Sequence, residues 1–168
     1  MEHSENRGIG EKMSSTYMQI LERIANFLRT GSDPVDLYQD VCDVLQSNFD
    51  HYTWVGIYVI EGNELVLKAY QGPDATERTK IPIGEGICGL AAQTTEIIVV
   101  PDVSQDSRYL ECFPSTKAEI VVPIKYIDDV FGEIDIDSDD LDPFTEEDQK
   151  FLRMAADQLA AVVKKLRA

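Results

Sequence analysis

The sequence predicts an α+β domain in which helices cover an antiparallel sheet. Apolar residues recur at helical spacing near both ends of the chain, whereas between residues 53 and 137 they mostly alternate with a period of two. Short turn segments such as Glu61-Gly62-Asn63 separate neighbouring strands, as in hairpins. Helices before and after a run of hairpin-linked strands are typical of the α+β class.

The composition fits one globular domain. The chain has 168 residues, of which 43% are hydrophobic, and this is enough to bury a full core. No apolar run reaches the roughly 18 residues of a membrane span, and residues 1–12 are polar. We therefore expect a flexible tail over 1–12, a single domain over 13–168 and a cytoplasmic location. The net charge of −16 disfavours binding to nucleic acid or to anionic membranes.

Two amphipathic helices are predicted before the strands. The first follows Ser14 and ends near Gly31. The second has Asp33 at its N-cap and Pro34 at its first helical position. Cys42 lies on the apolar face of this second helix, so we interpret it as a small buried side chain and not as a reactive thiol.

The first hairpin begins with a strand of alternating character. Trp54, Gly56 and Tyr58 fall on one face of this strand, and Val55, Ile57 and Val59 on the other. Because the aliphatic residues already supply the core face, we expect the two rings on the opposite face, flanking a gap over Gly56 where a ligand methyl could rest. Ordinary packing of aromatic residues on a sheet is the alternative.

The segment after this hairpin is rich in loops. The glycine-rich sequence Gly84-Glu85-Gly86 is expected to open a short helix around residues 90–93, and a strand is predicted over 97–100. A loop over 101–116 then carries Cys112. We expect Cys88 also to lie in a loop-like segment.

The second hairpin and a last helix complete the chain. Strands are predicted over 120–126 and 130–137, with a turn at Asp128-Asp129. Thr145 is the predicted N-cap of the last helix, and the acidic residues that follow it suit the helix dipole.

Cys88 and Cys112 are the residues best suited to chemistry. An odd number of cysteines, in a chain expected to stay in a reducing compartment, argues against structural disulfides. A thiolate is a strong nucleophile, and a second thiol can resolve an oxidised first one as a disulfide. The alternative for Cys88 is simple packing at a helix start. His3 and His51 do not fit a zinc motif with these cysteines, so we expect no metal site.

An acidic strand follows the cysteines. Glu133, Asp135 and Asp137 share one face of it at a spacing of roughly 7 Å, where like charges repel. A solvated sheet face is the ordinary interpretation, and we assign Glu133 to it. For Asp135 and Asp137, a bound ammonium group is an equally good interpretation because it would relieve the repulsion. Acidic surroundings disfavour a thiolate at Cys112, yet they could keep a carboxyl such as Glu119 protonated and able to donate a proton.

Several segments resemble those of the GAF family of small-molecule-binding domains. They are Gly84-Glu85-Gly86-Ile87-Cys88-Gly89 and residues 99–109, 120–124, 132–138 and 144–148. These segments occur in order over most of residues 50–165. The resemblance implies a central antiparallel sheet, with the N- and C-terminal helices packed on one face and a ligand pocket on the other.

Within that family, the chain most resembles the free methionine-(R)-sulfoxide reductases. The matching residues are Trp54, Tyr58, Cys88, Cys112, Glu119, Asp135 and Asp137. The resemblance implies that Cys112 attacks the sulfoxide and that the matching tryptophan, glutamate and aspartates shape the substrate site. That subfamily usually has a further cysteine in the segment corresponding to residues 74–80. This chain has none there, which leaves Cys88 as the resolving thiol.

The leading hypothesis is a cytoplasmic reductase of free methionine-(R)-sulfoxide, with Cys112 as nucleophile, Cys88 as resolving thiol and Glu119 as proton donor. The substrate-binding residues would be Trp54, Tyr58, Asp135 and Asp137. We expect no bound cofactor, since electrons would come from a thioredoxin-like protein, and pairing of the first and last helices would give a homodimer. The alternatives are a GAF module that binds a small ligand without catalysis and a redox sensor that uses the same two thiols.

Overall fold

The structure, a computed structural model, describes residues 13–31 and 33–166. The tail predicted over residues 1–12 lies outside the described residues. The helices are α1 (Ser15–Thr30), α2 (Pro34–Asn48), α3 (Gly86–Thr94) and α4 (Glu146–Leu166). The strands are β1 (Trp54–Glu61), β2 (Glu64–Gln71), β3 (Lys80–Pro82), β4 (Ile98–Val100), β5 (Ala118–Tyr126) and β6 (Asp129–Ser138). None of the described helices combines the length and apolar character needed to cross a bilayer.

The helix starts agree with the sequence prediction. The Asp33 carboxylate accepts a hydrogen bond from Val35 N at 2.8 Å, and Pro34 occupies the first turn of α2. At the start of α4, Thr145 Oγ1 accepts from Asp148 N at 3.1 Å, while the Asp148 carboxylate accepts from Thr145 N at 2.8 Å. This reciprocal pair satisfies two backbone donors at the helix end.

The sheet has the strand order β3-β2-β1-β6-β5-β4, and all neighbours are antiparallel. The predicted α+β class is therefore confirmed. Within the described chain the sheet has six strands, because Lys80–Pro82 pairs with β2 in addition to the two predicted hairpins and the strand predicted over 97–100. The turn between β5 and β6 lies at Ile127-Asp128, one residue earlier than predicted, since the pairing shifts between Ile124 and Lys125.

The two faces of the sheet carry separate hydrophobic clusters. On one face, α1, α2 and α4 pack against the aliphatic residues of the strands, including the fully buried Ile57 and Ile134. Cys42 is fully buried in this cluster, as predicted. On the other face, α3 packs with Trp54 and Tyr58. The predicted division of the first strand into a core face and a ring face is therefore confirmed.

Asp148 ties the helices to the end of the sheet. Its buried carboxylate accepts hydrogen bonds from Tyr52 OH at 2.6 Å and from Tyr17 OH at 3.1 Å. His51 Nε2 lies 3.1 Å from the same carboxylate. This network joins α1, the segment before β1 and α4 on the helical side, so the opposite face is left for the candidate site.

Candidate active site

The sheet face opposite the long helices carries the side chains that the sequence singled out. The antiparallel partners on this face are Trp54 with Asp137, Gly56 with Asp135, Tyr58 with Glu133, and Glu119 with Asp137. Directly paired residues of antiparallel strands project to the same side of a sheet. Strands β1, β5 and β6 therefore bring two aromatic rings and four carboxylates together.

Trp54 forms one wall of the site. Its buried indole lies over Gly56, and a Cβ atom at that position would collide with the ring. A Cβ atom at Gly72 would likewise come within 2.5 Å of the indole. The indole also stacks on Tyr70, with ring centroids 5.8 Å apart, and meets Phe113 at 5.6 Å. The expectation of an open gap over Gly56 is wrong, because the indole itself fills that space.

Tyr58 supports the site from beneath. Its ring is fully buried, and its hydroxyl donates a 2.9 Å hydrogen bond to the backbone oxygen of Arg78. Burial, followed by the nearby charge of Asp135, raises the pKa of the phenol well above its ordinary value. The phenol therefore stays protonated, and its hydrogen bond fixes the segment that connects β2 and β3.

Four carboxylic side chains lie buried beside these rings. The exposed fractions are 0% for Glu133, 1% for Asp135, 2% for Asp137 and 4% for Glu119. The interpretation of Glu133 as part of a solvated face is wrong, because α3 packs over this part of β5 and β6. Glu133 thus belongs to the same cluster as the two aspartates.

Many polar atoms in this cluster have no hydrogen-bond partner among the described residues. They are both carboxylate oxygens of Glu133 and of Asp137, Oδ1 of Asp135, Nε1 of Trp54 and the hydroxyl of Tyr109. Buried polar groups in folded proteins are nearly always hydrogen-bonded, and each exception needs an explanation. A concentration of such atoms at one place indicates a binding site for a polar, positively charged ligand.

The carboxyl groups of this cluster differ in protonation. Burial raises the pKa of Glu119 well above its usual range, and the charges of Asp135 and Asp137 raise it further. Burial also raises the pKa of Asp135, but hydrogen bonds with Glu119 and Cys88 oppose that rise. The geometry thus favours a protonated Glu119 that donates to an ionised Asp135, as in other close carboxyl pairs.

Cys88 lies in the first turn of α3 and not in a loop as expected, because the helix already begins at Gly86. The thiol is 6% exposed, and its Sγ donates to Glu119 Oε1 at 3.6 Å. Burial and the charges of Asp135 and Glu133 hold the pKa of Cys88 well above its usual value. Cys88 is therefore a thiol and a poor initial nucleophile.

Cys88, Glu119 and Asp135 also have the spacing of a possible metal site. One ligand atom from each lies within 4.8 Å of the other two. A thiolate with two carboxylates is a donor set that a divalent cation such as Zn²⁺ can accept. The expectation of no metal site was based on the histidines alone and stays a prediction.

Cys112 is the half-exposed thiol of the loop between β4 and β5. Its Sγ contacts Leu110 O at 3.8 Å. Burial, followed by the charges of Asp135 and Asp137, raises the pKa of Cys112 to about 12, while Arg78 and Thr76 act in the opposite direction. Cys112 thus lies near the acidic cluster. Arg78 and Thr76, from the segment between β2 and β3, partly offset the rise that this cluster causes in the pKa of the thiol.

Three contacts fix the Cys112 loop over the sheet. Leu110 packs closely on Gly86. A Cβ atom at position 86 would lie only 2.8 Å from Leu110 Cδ1. Arg78 Nε donates to the backbone oxygen of Glu111 at 3.0 Å. Phe113 meets the indole of Trp54. A cavity of about 20 Å³, which has room for one water, lies between Trp54, Phe113 and Asp137.

The sequence analysis missed several residues of this site. Glu133 could have been found, since it continues the alternation of Asp135 and Asp137. Tyr109, Thr76 and Arg78 lie in loops, where no periodic pattern shows which way a side chain points. Sequence proximity to Cys112 was the one available signal for Tyr109, while the other two residues come from a distant segment.

The chain is similar to known proteins over most of its length. A family model described as GAF domain matches residues 33–163. GAF domain-containing protein A of Dictyostelium discoideum is 36% identical over 81% of this chain and 85% of its own. The free methionine-R-sulfoxide reductase of Escherichia coli is 33% identical over 76% of this chain and 71% of its own.

A solved structure extends this similarity to the fold. The free methionine-R-sulfoxide reductase of Neisseria meningitidis, determined in complex with its substrate, superposes with a TM-score of 0.82 at 33% identity. The match covers 90% of this chain and 90% of that protein. The two proteins therefore share the same overall fold.

Proposed function

The chain belongs to the GAF family, and on that premise we propose that it reduces free methionine-(R)-sulfoxide to methionine, with Cys112 as the nucleophile. The observation that carries this proposal is a set of buried carboxylate oxygens that have no hydrogen-bond partner among the described residues and lie beside a half-exposed thiol. Relatives named as free methionine-R-sulfoxide reductases support it.

The acidic cluster suits a free amino acid. The substrate ammonium group carries three donors and one positive charge. Asp137 and Asp135 offer three buried oxygens that lack a partner within the described part of the chain. Binding the cation would relieve the repulsion between these carboxylates. Trp54 would enclose the apolar part of the substrate. Its Nε1–H, which has no acceptor among residues 13–31 and 33–166, would be available as a donor.

The reduction itself needs one nucleophile and one acid. The Cys112 thiolate attacks the sulfoxide sulfur, and Glu119 gives its proton to the sulfoxide oxygen. The attack forms a bond between Cys112 Sγ and the substrate sulfur. Transfer of the protonated oxygen to Cys112 Sγ then breaks both this bond and the sulfur–oxygen bond of the substrate. The products are methionine, reduced by two electrons, and the sulfenic acid of Cys112, oxidised by two.

Cys88 would restore the nucleophile. Its thiol condenses with the sulfenic acid to give a Cys88–Cys112 disulfide and water, and Glu119, now ionised, is placed 3.6 Å from Cys88 Sγ to take the thiol proton. A disulfide requires Cα atoms within about 7 Å, which the Cys112 loop would reach by moving towards α3. A thioredoxin-like dithiol then reduces the bond and is itself oxidised to a disulfide.

The direct test supplies each epimer of free methionine sulfoxide with dithiothreitol and measures methionine. We expect turnover of the R epimer only. Cys112→Ser should form no methionine, because a hydroxyl cannot form the sulfenic acid. Cys42→Ser is the matched control and should keep its activity. Normal turnover by Cys112→Ser would rule out the proposed mechanism.

A redox sensor that uses the same thiols is the second candidate. The observation that favours it is that the half-exposed Cys112 and the buried Cys88 both lie near Asp135, since redox-sensor cysteines are often next to a resolving thiol. A sensor would form the Cys88–Cys112 disulfide with peroxide yet release no methionine from either epimer. The same assay, followed by peptide mapping of the oxidised protein, separates the two functions.

A further inference from the structure

The surroundings of Cys112 oppose the formation of a thiolate. The ionisable groups that face it are Tyr58 on β1, Arg78 between β2 and β3, Tyr109 on its own loop, Glu119 on β5, and Asp135 and Asp137 on β6. Arg78 is the cation among these groups. A nucleophilic cysteine in such a place needs local donors and positive charge to compensate for the acidic residues.

Thr76 is a buried side chain of the segment that contacts the Cys112 loop, and its hydroxyl proton is available to donate. The side chain is buried, and its Oγ1 accepts a hydrogen bond from Arg78 N at 3.0 Å. A hydroxyl that accepts from a backbone N–H keeps its own proton to donate. That proton is available to the sulfur of Cys112, and hydrogen bonding by Thr76 acts to lower the pKa of that thiol.

Arg78 is held in place from three directions. Its backbone oxygen accepts from Tyr58 OH at 2.9 Å, and its backbone N–H donates to Thr76. Its Nε–H donates to the oxygen of Glu111, the residue just before Cys112, at 3.0 Å. The guanidinium is thus connected to the Cys112 loop and to β1, so that its charge has a defined position near the sulfur.

We propose that Thr76 and Arg78 activate Cys112: Thr76 acts as a catalytic residue that donates a hydrogen bond to the thiolate, and Arg78 acts as a positioning residue that holds the loop and supplies a positive charge. This inference rests on the proposed function of Cys112 as nucleophile. It assigns an activating role to the segment in which the related reductases usually carry a further cysteine.

The test measures the alkylation of Cys112 by iodoacetamide in a Cys42→Ser, Cys88→Ser background, at several pH values from 7 to 10. Below the pKa of the thiol, this rate follows the thiolate fraction. We expect Thr76→Val and Arg78→Gln each to slow it roughly three- to tenfold at every pH, as expected for a lost donor or a lost nearby charge. Arg108→Gln is the matched control, since this cation of the same loop pairs with Asp106, and its rate should not change.

Conservative variants separate activation from folding. Thr76→Ser keeps the hydroxyl and Arg78→Lys keeps the charge, so each should recover most of the rate. If Thr76→Ser is as slow as Thr76→Val, or Arg78→Lys as slow as Arg78→Gln, the assigned role of that residue is wrong. Rates in Thr76→Val and Arg78→Gln equal to that of Arg108→Gln would also overturn the proposal.

Alkylation needs no substrate and no reductant. A protein without reductase activity could therefore still show the expected slowing, and an active reductase could fail to show it. The two proposals are tested by different measurements, and the failure of one is distinguishable from the failure of the other.

Discussion

The Cys88 thiol donates a hydrogen bond to Glu119 across 3.6 Å, from helix α3 to strand β5. This contact places the more buried of the two candidate thiols against an acid. Cys112, by contrast, is half-exposed, and Arg78 lies near it. The two cysteines therefore differ in reactivity because of their surroundings.

We predict that iodoacetamide modifies Cys112 well before Cys88 and Cys42. Cys112 is the most exposed of the three thiols, whereas Cys42 and Cys88 are buried, and burial raises the pKa of both. The measurement is mass spectrometry of tryptic peptides after timed labelling at pH 8. Faster labelling of Cys88 would exclude Cys112 as the first nucleophile.

Glu119→Gln should slow the formation of methionine in a single turnover by roughly 10²- to 10⁴-fold, the range for loss of a general acid. An amide cannot give a proton to the sulfoxide oxygen. Glu96→Gln removes an exposed carboxylate near β4 and should have no effect. Equal rates in the two variants would show that another group donates the proton.

Asp137 should make the proposed reaction selective for the free amino acid. Loss of a hydrogen bond to a charged group costs about 1.5–3 kcal/mol. N-acetyl-methionine sulfoxide should therefore be reduced roughly ten- to hundredfold less efficiently than the free substrate.

The discriminating variant is Asp137→Asn. It should impair reduction of the free substrate and hardly change that of the acetylated one, which has no ammonium group. Values of kcat/KM for both substrates provide the measurement. If both fall by the same factor, Asp137 has a role other than recognition of the ammonium group.

The buried carboxylates should make the substrate-free protein less stable as pH rises. Burial raises the folded-state pKa values of Glu119 and Asp137 above their unfolded values. Their contribution to stability is therefore complete below the unfolded pKa, about 4, and is lost as pH rises through the folded-state pKa. The free energy of unfolding should fall over this range.

Asp137→Asn should reduce that fall and raise Tm at pH 8. For a domain of this size, about 1 kcal/mol of added stability corresponds to roughly 2–4 °C. Asp140→Asn, at an exposed position nearby, is the control. A lower Tm in Asp137→Asn would mean that the ionised aspartate stabilises the fold in the absence of substrate.

Asp148 should behave in the opposite way. Burial alone would raise the pKa of its carboxyl, but hydrogen bonds from His51, Tyr52 and Thr145 lower it to about 2. Its contribution is therefore present above the unfolded pKa and is lost as pH falls towards 2, by an amount of about 2 kcal/mol.

Asp148→Asn should accordingly destabilise the protein at pH 7 and flatten the acid limb of its stability curve. Urea unfolding from pH 2 to pH 7 provides the measurement. Asp157→Asn, at an exposed position of the same helix, should change neither the stability at pH 7 nor the acid limb of the stability curve. An unaltered acid limb in Asp148→Asn would contradict the assigned role.

The fold could be predicted from the sequence because its signals are local. The alternation in β1 separates the two faces of the strand without knowledge of the neighbouring strands. The caps at Asp33 and Thr145 need contacts only within a few residues. The turn at Ile127-Asp128 was misplaced by one residue because a shift in strand pairing leaves no mark in the hydrophobic pattern.

The site could be predicted only in part, since it depends on what covers the sheet. A period of two shows that Glu133 and Asp135 share a face, but not whether water or a helix lies against that face. The packing of α3 decides this, and it arises from contacts distant in sequence. The contact of Thr76 with Cys112 is likewise set by the path of two loops.

The alternation of Ile134 and Ile136 with three acidic residues in β6 also protects the pairing of the sheet. If β6 slipped by one position against β1 and β5, its carboxylates would enter the aliphatic core and its isoleucines would face the polar cluster. Such a misaligned strand would bury several charges without partners. The acidic side chains repel one another in the native state, but they would destabilise the shifted pairing far more. They therefore specify a single register for the central strand.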